Sequence, residues 1–300
     1  MKGLNDIKRI LITGALIFLA ASSCALATTC KTKHSPCPTN HEPRSTNHAC
    51  PERSRRELRT DPNTCPAKKQ TIAGGEIDEI LTCMNKSADR LKAYQAEIRY
   101  LFIQDPELLD SQTLRKGELF YKKDASGSKL RVSFNTLKQD DGAEEKYIEH
   151  FIFDGVWLKK IDFQLEKVDF YQQAPEDKPI DVFEFISHRF PLLGFTNTSL
   201  LRKDFKITLI PPKDAKSNDL KGLKLLPTKD SIYKNDYSSI SFWLDTATLL
   251  PARIQAKSTE GDIYDIELLE SKVNKKFKNA VFKLETPKHF SQNREPLKDK

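Results

Sequence analysis

The chain has no cysteine after Cys83, six histidines, two tryptophans and, beyond residue 21, no apolar run that could cross a bilayer as a helix. Each shortage excludes something. Without later cysteines, the larger part of the chain must hold together by burial and not by disulfides. Without a second run of roughly 20 apolar residues, no second transmembrane helix is expected. Three of the histidines fall in a polar N-terminal segment. His150, His188 and His289 stand in no nucleophile elbow, H-E-x-x-H or paired-ligand context, so neither an enzyme nor a resident cofactor is expected. An excess of charge is also missing where it would matter. The formal net charge is +7, but residues 1–27 carry three Lys or Arg against one acid and residues 28–75 nine against four, which leaves 37 against 37 for 76–300. A nucleic-acid binder draws its affinity from cations on its folded surface, so nucleic acid is not an expected partner.

What is present begins with an export signal at residues 1–27. Lys2, Lys8 and Arg9 precede an apolar run from Ile10 to Ala21, and Ala25-Leu-Ala27 is a small-x-small cleavage site. A lipid anchor at Cys24, after Ser22-Ser23, and an uncleaved membrane anchor are the alternatives. All three place the remainder outside the cytoplasm, with the periplasm the expected compartment. Residues 28–75 are rich in Thr, Pro, Asn, Lys and Arg, bury too little to offset ordering entropy, and read as a disordered linker. Cleavage leaves Cys30, Cys37, Cys50, Cys65 and Cys83, an odd number, with no C-x-x-C pair and no regular metal-ligand spacing.

From residue 76 the periodicity changes twice. Ile77, Ile80, Leu81, Met84, Ala88 and Leu91 make one apolar stripe, which predicts a helix over Glu76–Tyr94. Alternation then takes over. Strands are predicted over 94–103, 114–123, 129–137, 145–153, 156–163, 165–173, 204–210, 220–227, 237–245, 250–257 and 262–270. Asp154-Gly155 marks a tight hairpin. Asp181 to Phe190 reads as a second, strongly apolar helix with Asp181 as N-cap and Pro191 closing it. The fold class is therefore mainly β with a little helix: an incomplete antiparallel barrel of about eleven strands covered by two helices.

Several segments resemble the outer-membrane lipoprotein carrier family (LolA/LolB type). They are Gly117-Glu-Leu-Phe-Tyr-Lys122 with Leu130-Arg-Val-Ser-Phe134, then Phe151-Ile-Phe-Asp-Gly-Val-Trp157 and Val168-Asp-Phe-Tyr171. Phe242-Trp-Leu-Asp245 with Leu250-Pro-Ala-Arg253, and Phe282-Lys-Leu-Glu-Thr-Pro287, complete the set. The resemblance runs in order over residues 76–290. It implies a half-barrel that shields acyl chains of lipoproteins or lipids, with an inner-membrane release complex and an outer-membrane acceptor as partners. It also implies a buried arginine that locks the lid; Lys122, Lys123 and Arg131 lie near that place and none takes the role convincingly. The alternatives are an outer-membrane-anchored receptor of the same fold, which needs acylation at Cys24, and a non-lipid envelope scaffold or stress sensor. Candidate pocket residues, equally readable as plain core, are Ile98, Tyr100, Phe102, Leu119, Tyr121, Leu130, Val132, Phe134, Phe151, Phe153 and Trp157. Phe183, Phe185 and Ile186 are the candidate lid.

Overall fold

The computed structural model describes residues 73–109, 111–187, 198–211 and 219–297. The signal segment, residues 28–72 of the linker and residues 188–190 of the second predicted helix lie outside them, while residues 73–75, expected to end the linker, are already helical. Helix α1 (Ala73–Asp89) leads into β1 (Ala93–Ile103), β2 (Gln112–Asp124), β3 (Gly127–Gln139), β4 (Glu145–Phe153), β5 (Trp157–Asp162) and β6 (Lys167–Gln172). Two short helices follow, α2 (Val182–Ser187) and α3 (Thr198–Asp204). The second run is β7 (Phe205–Ile210), β8 (Leu220–Pro227), β9 (Tyr237–Asp245), β10 (Pro251–Ser258) and β11 (Ile263–Val273). A 3-10 turn at Asn279–Phe282 and β12 (Ser291–Glu295) complete the chain.

All twelve strands form one sheet in the order β12-β6-β5-β4-β3-β2-β1-β11-β10-β9-β8-β7. Each run is a meander, and β11 joins them by pairing antiparallel with β1. The edges, β7 and β12, are not paired to each other, so the barrel is incomplete, as expected. The segment carrying α2 and α3 connects β6 to β7, which lie in opposite arms of the sheet. The strand count departs from expectation by one. β12 is entirely exposed and pairs parallel with β6, Ser291 opposite Lys167 and Glu295 opposite Tyr171. The first helix also ends five residues earlier than its stripe suggests. Arg90 and Leu91 close it through Lys86 and Ala88 carbonyls, and the Asn274 side chain accepts from the Lys92 and Ala93 amides, 2.7 and 3.2 Å away, turning the chain into β1.

The two faces of the sheet are covered differently. The inner face of the β7–β10 arm is filled by α1: Ile77, Ile80, Leu81 and Met84 pack with Phe205, Leu223, Phe242 and Ile254. Cys83, buried on the same helix, is disulfide-bonded. The outer face of the β2–β6 arm is covered by the C-terminal segment. Phe290 packs on Ile152, Ile161 and Val168, and Phe277 meets Phe120 edge-on. One glycine is indispensable to the pairing. A Cβ at Gly117 would sit 1.7 Å from the Ser133 carbonyl oxygen, where β2 and β3 draw together beside paired bulges.

Candidate functional site

The inner face of β1–β4 gathers ten of the eleven candidate pocket residues. Register places Leu119 opposite Val132, Val132 opposite Phe151, Tyr121 opposite Leu130, and Leu130 opposite Phe153. Tyr100 approaches Phe134 at 6.2 Å between ring centroids, Phe134 approaches Phe151 at 6.4 Å, and Phe102 stacks on Tyr264 at 5.3 Å. Ile98 is buried opposite Gly117, the one gap in this layer. Trp157 is the exception. The hairpin at Gly155 sets Phe153 opposite Leu158, so Leu158 points inward and Trp157 points to the outer face. There it lies against Arg294 and takes no part in the inner surface.

Helix α2 lies on this face. Phe185 stacks on Phe153 at 4.1 Å between centroids, Phe183 meets Tyr121 at 4.8 Å, and Ile186 is half-buried. Its start is tied to the sheet by Asp181. One carboxylate oxygen accepts from the Phe183 amide at 2.8 Å, as an N-cap side chain does. The other accepts from the Ser128 hydroxyl at 2.9 Å and faces the Lys123 ammonium at 3.3 Å. Beside the covered rings, Leu119, Leu130, Val132 and Phe151 remain half-buried.

One end of the surface holds an ionic cluster that alternation should have revealed. Arg115 is on β2, two residues from Gly117 and in phase with Leu119 and Tyr121. Glu149 is on β4 in phase with Phe151 and Phe153. Both point inward, are almost fully buried, and are paired. Lys160 on β5 reaches the other Glu149 oxygen at 2.9 Å. The Arg115 guanidinium also lies 4.9 Å from the Tyr147 ring, and Lys160 lies 5.7 Å from that of Phe151. Charges this deep are tolerated because each has a partner. Among the described residues Arg115, not Lys122, Lys123 or Arg131, is thus the arginine buried on the inner face. Its anchor is Glu149 within the sheet, while Arg131 faces outward and donates to the Val281 carbonyl at 2.7 Å.

Three buried polar atoms on this face, Tyr100 Oη, Tyr121 Oη and Arg115 Nε, have no hydrogen-bond partner among the described residues. Burial pushes both tyrosine hydroxyls well above their ordinary pKa, so they stay protonated and able to donate. The surface is therefore an apolar layer with a few polar donors, the usual chemistry of a site for an amphiphile.

No protein-family model matches the chain, and no curated protein matches it in sequence. Similar solved structures include an uncharacterized conserved protein from Thermus thermophilus, at 13% identity over 73% of this chain and 99% of that chain, with a TM-score of 0.43. The Pseudomonas aeruginosa MucA/MucB complex is similar at 15% identity over 68% of this chain and 60% of that chain, TM-score 0.38. A LolA superfamily protein from Nitrosomonas europaea is similar at 11% identity over 68% of this chain and 97% of that chain, TM-score 0.29.

Proposed function

We propose that this protein is an exported, periplasmic carrier that shelters the acyl chains of a lipoprotein or lipid against the inner face of its half-barrel, by binding and without catalysis. The observation that carries the reading is the strip Leu119–Val132–Phe151, with Leu130 beside it. These residues are contiguous in register and half-buried, and they border a short helix that covers the adjoining rings. A plain core would bury them. Each methylene laid on such a strip is worth about 0.8 kcal/mol, so an acyl chain supplies ample binding energy. Release then needs a cover that opens at modest cost. Helix α2 is the proposed cover: it is only six residues long and meets the sheet through Val182, the Phe183 and Phe185 rings and the hydrogen bonds around Asp181 and Ser128. The Tyr100 and Tyr121 hydroxyls suit an ester or amide carbonyl at the head of the chain. Loading by an inner-membrane release complex and delivery to an outer-membrane acceptor complete the proposed cycle.

Titration of the detergent-free full-length protein with a fluorescent fatty acid tests the reading. Saturable binding at low micromolar concentration is expected. Leu119→Lys and Val132→Asp, each shown by circular dichroism to be folded, should weaken it at least tenfold. A folded protein that binds no fatty acid would leave the inner face as ordinary core and favour an envelope scaffold.

A further inference from the structure

The outer face carries a cavity of about 580 Å³ that lies away from the Leu119–Val132–Phe151 strip and shares only Phe153, at the end of β4, with the inner layer. The sheet forms its floor, with Phe170 and Trp157. The C-terminal segment roofs it with Asn279, Phe282, Lys283 and Leu284, and Arg294 on β12 closes one side. Its volume lies within the range of small-molecule sites.

Its charge is lopsided. Five cations line it, Lys122, Lys129, Lys159, Lys283 and Arg294, against two carboxylates, Asp124 and Asp154. The carboxylates are already engaged. Asp124 accepts from the Ser126 hydroxyl and amide and faces Lys122 at 3.7 Å. Asp154 accepts from the Val156 and Trp157 amides at 3.0 and 2.8 Å, which fixes the β4–β5 turn. Among the described residues, no carboxylate lies within ion-pair distance of Lys129, Lys159, Lys283 or Arg294. Lys159 and Arg294 converge on one ring: the ammonium nitrogen is 5.7 Å and the guanidinium carbon 4.6 Å from the Phe170 centroid. Arg294 is also 5.9 Å from Trp157. The Lys159 ammonium donates to Thr286 Oγ1 at 2.8 Å and the Leu284 carbonyl at 3.4 Å, which ties it to the roof. Burial depresses its pKa, the mark of a cation short of counter-charge.

We infer that this cavity binds an organic phosphate: a phosphate group between Lys159 and Arg294, and an apolar body against Trp157, Phe170 and Phe282. A phosphate monoester carries close to two negative charges at pH 7, which matches a site with three more cations than carboxylates. Arg and Lys on a shared aromatic wall leave their remaining N–H groups for its oxygens. The same chemistry occurs on a soluble phosphorylated metabolite and on a phospholipid headgroup. The site is on the face opposite the proposed acyl strip, so neither reading depends on the other.

The test uses the full-length protein with 1-naphthyl phosphate as soluble probe, 1-naphthol as neutral control, and phosphatidic acid vesicles as lipid probe. Binding is read by Trp157 fluorescence, with Trp157→Phe identifying the signal, and by thermal shift. Naphthyl phosphate should bind at least tenfold more tightly than naphthol, and more weakly in 0.5 M salt. Arg294→Gln, and independently Lys283→Gln on the roof, should lower its affinity at least fivefold while fatty-acid binding at the inner face is unchanged. If only the vesicles bind, with the same dependence on Arg294, the phosphate belongs to a lipid. Equal binding of naphthol, equal binding by both folded variants, or no binding of either phosphate source overturns the inference.

Discussion

Glu149 is the residue whose loss should be felt most, because two buried cations depend on it. Arg115, Glu149 and Lys160 are 3%, 2% and 5% exposed. In Glu149→Leu, both cations stay in the interior opposite an apolar side chain. Breaking a buried pair in this way costs about 3–5 kcal/mol. Asp162, opposite Glu149 in register and also buried, offsets part of that, so we expect about 3 kcal/mol. For a protein stable by about 5–15 kcal/mol this is a large fraction. Urea denaturation followed by circular dichroism should show the midpoint falling by about 1–1.5 M with an unchanged slope. The companion variant Arg115→Met/Glu149→Leu/Lys160→Met removes all three charges together. It should recover most of the loss, since an apolar replacement of a whole buried network is often neutral or stabilising. A single substitution costing under about 1 kcal/mol, or a triple variant worse than the single, would refute the reasoning, because water rather than protein would then be solvating the cluster.

Three further outcomes are expected. Asp181→Ala removes the cap and the Ser128 contact of α2, so hydrogen exchange at the Phe183–Ser187 amides should accelerate about fivefold, the equivalent of about 1 kcal/mol, with little change in the sheet. Gly117→Ala places a methyl group into the Ser133 carbonyl and should cost about 3 kcal/mol or more in the same urea assay. His150, buried on the outer face beside Phe163, has its pKa pushed down to about 4, chiefly by burial and further by Arg131. The unfolded chain therefore binds the extra proton first. The contribution of His150 is whole above about pH 6.5 and is lost as pH falls toward 4, by about 2 kcal/mol after allowing for solvent screening. His150→Leu should lose less stability over that interval than the parent does.

Much of the sheet was legible because alternation is a local signal. Each strand of the two meanders has one face against an apolar layer, and period-2 patterning followed from that. β12 was not legible for the same reason. Ser291–Glu295 buries no side chain, and it pairs with β6 through backbone groups that any sequence supplies. The pairing of β1 with β11 joins residues about 170 apart, and no local pattern encodes it. Trp157 was misplaced by a matter of phase. Trp157 follows Phe153 by an even number of residues, which suggests one face, but the chain reverses at Gly155-Val156 and the register makes Leu158 the inward neighbour of Phe153. Arg115 and Glu149 carried the opposite lesson. Phase alone puts them inside, and expecting charge to face water concealed them.

The central claim is that the inner face holds acyl chains. Native mass spectrometry of the full-length protein, purified from the periplasm without detergent, with lipid extraction of the same sample, tests it most directly. The account predicts a bound acyl species near one per protein, lost in Val132→Asp and Leu119→Lys and retained in Arg294→Gln. A folded protein with no bound acyl species, which also fails to take up fatty acid when it is supplied, would contradict it.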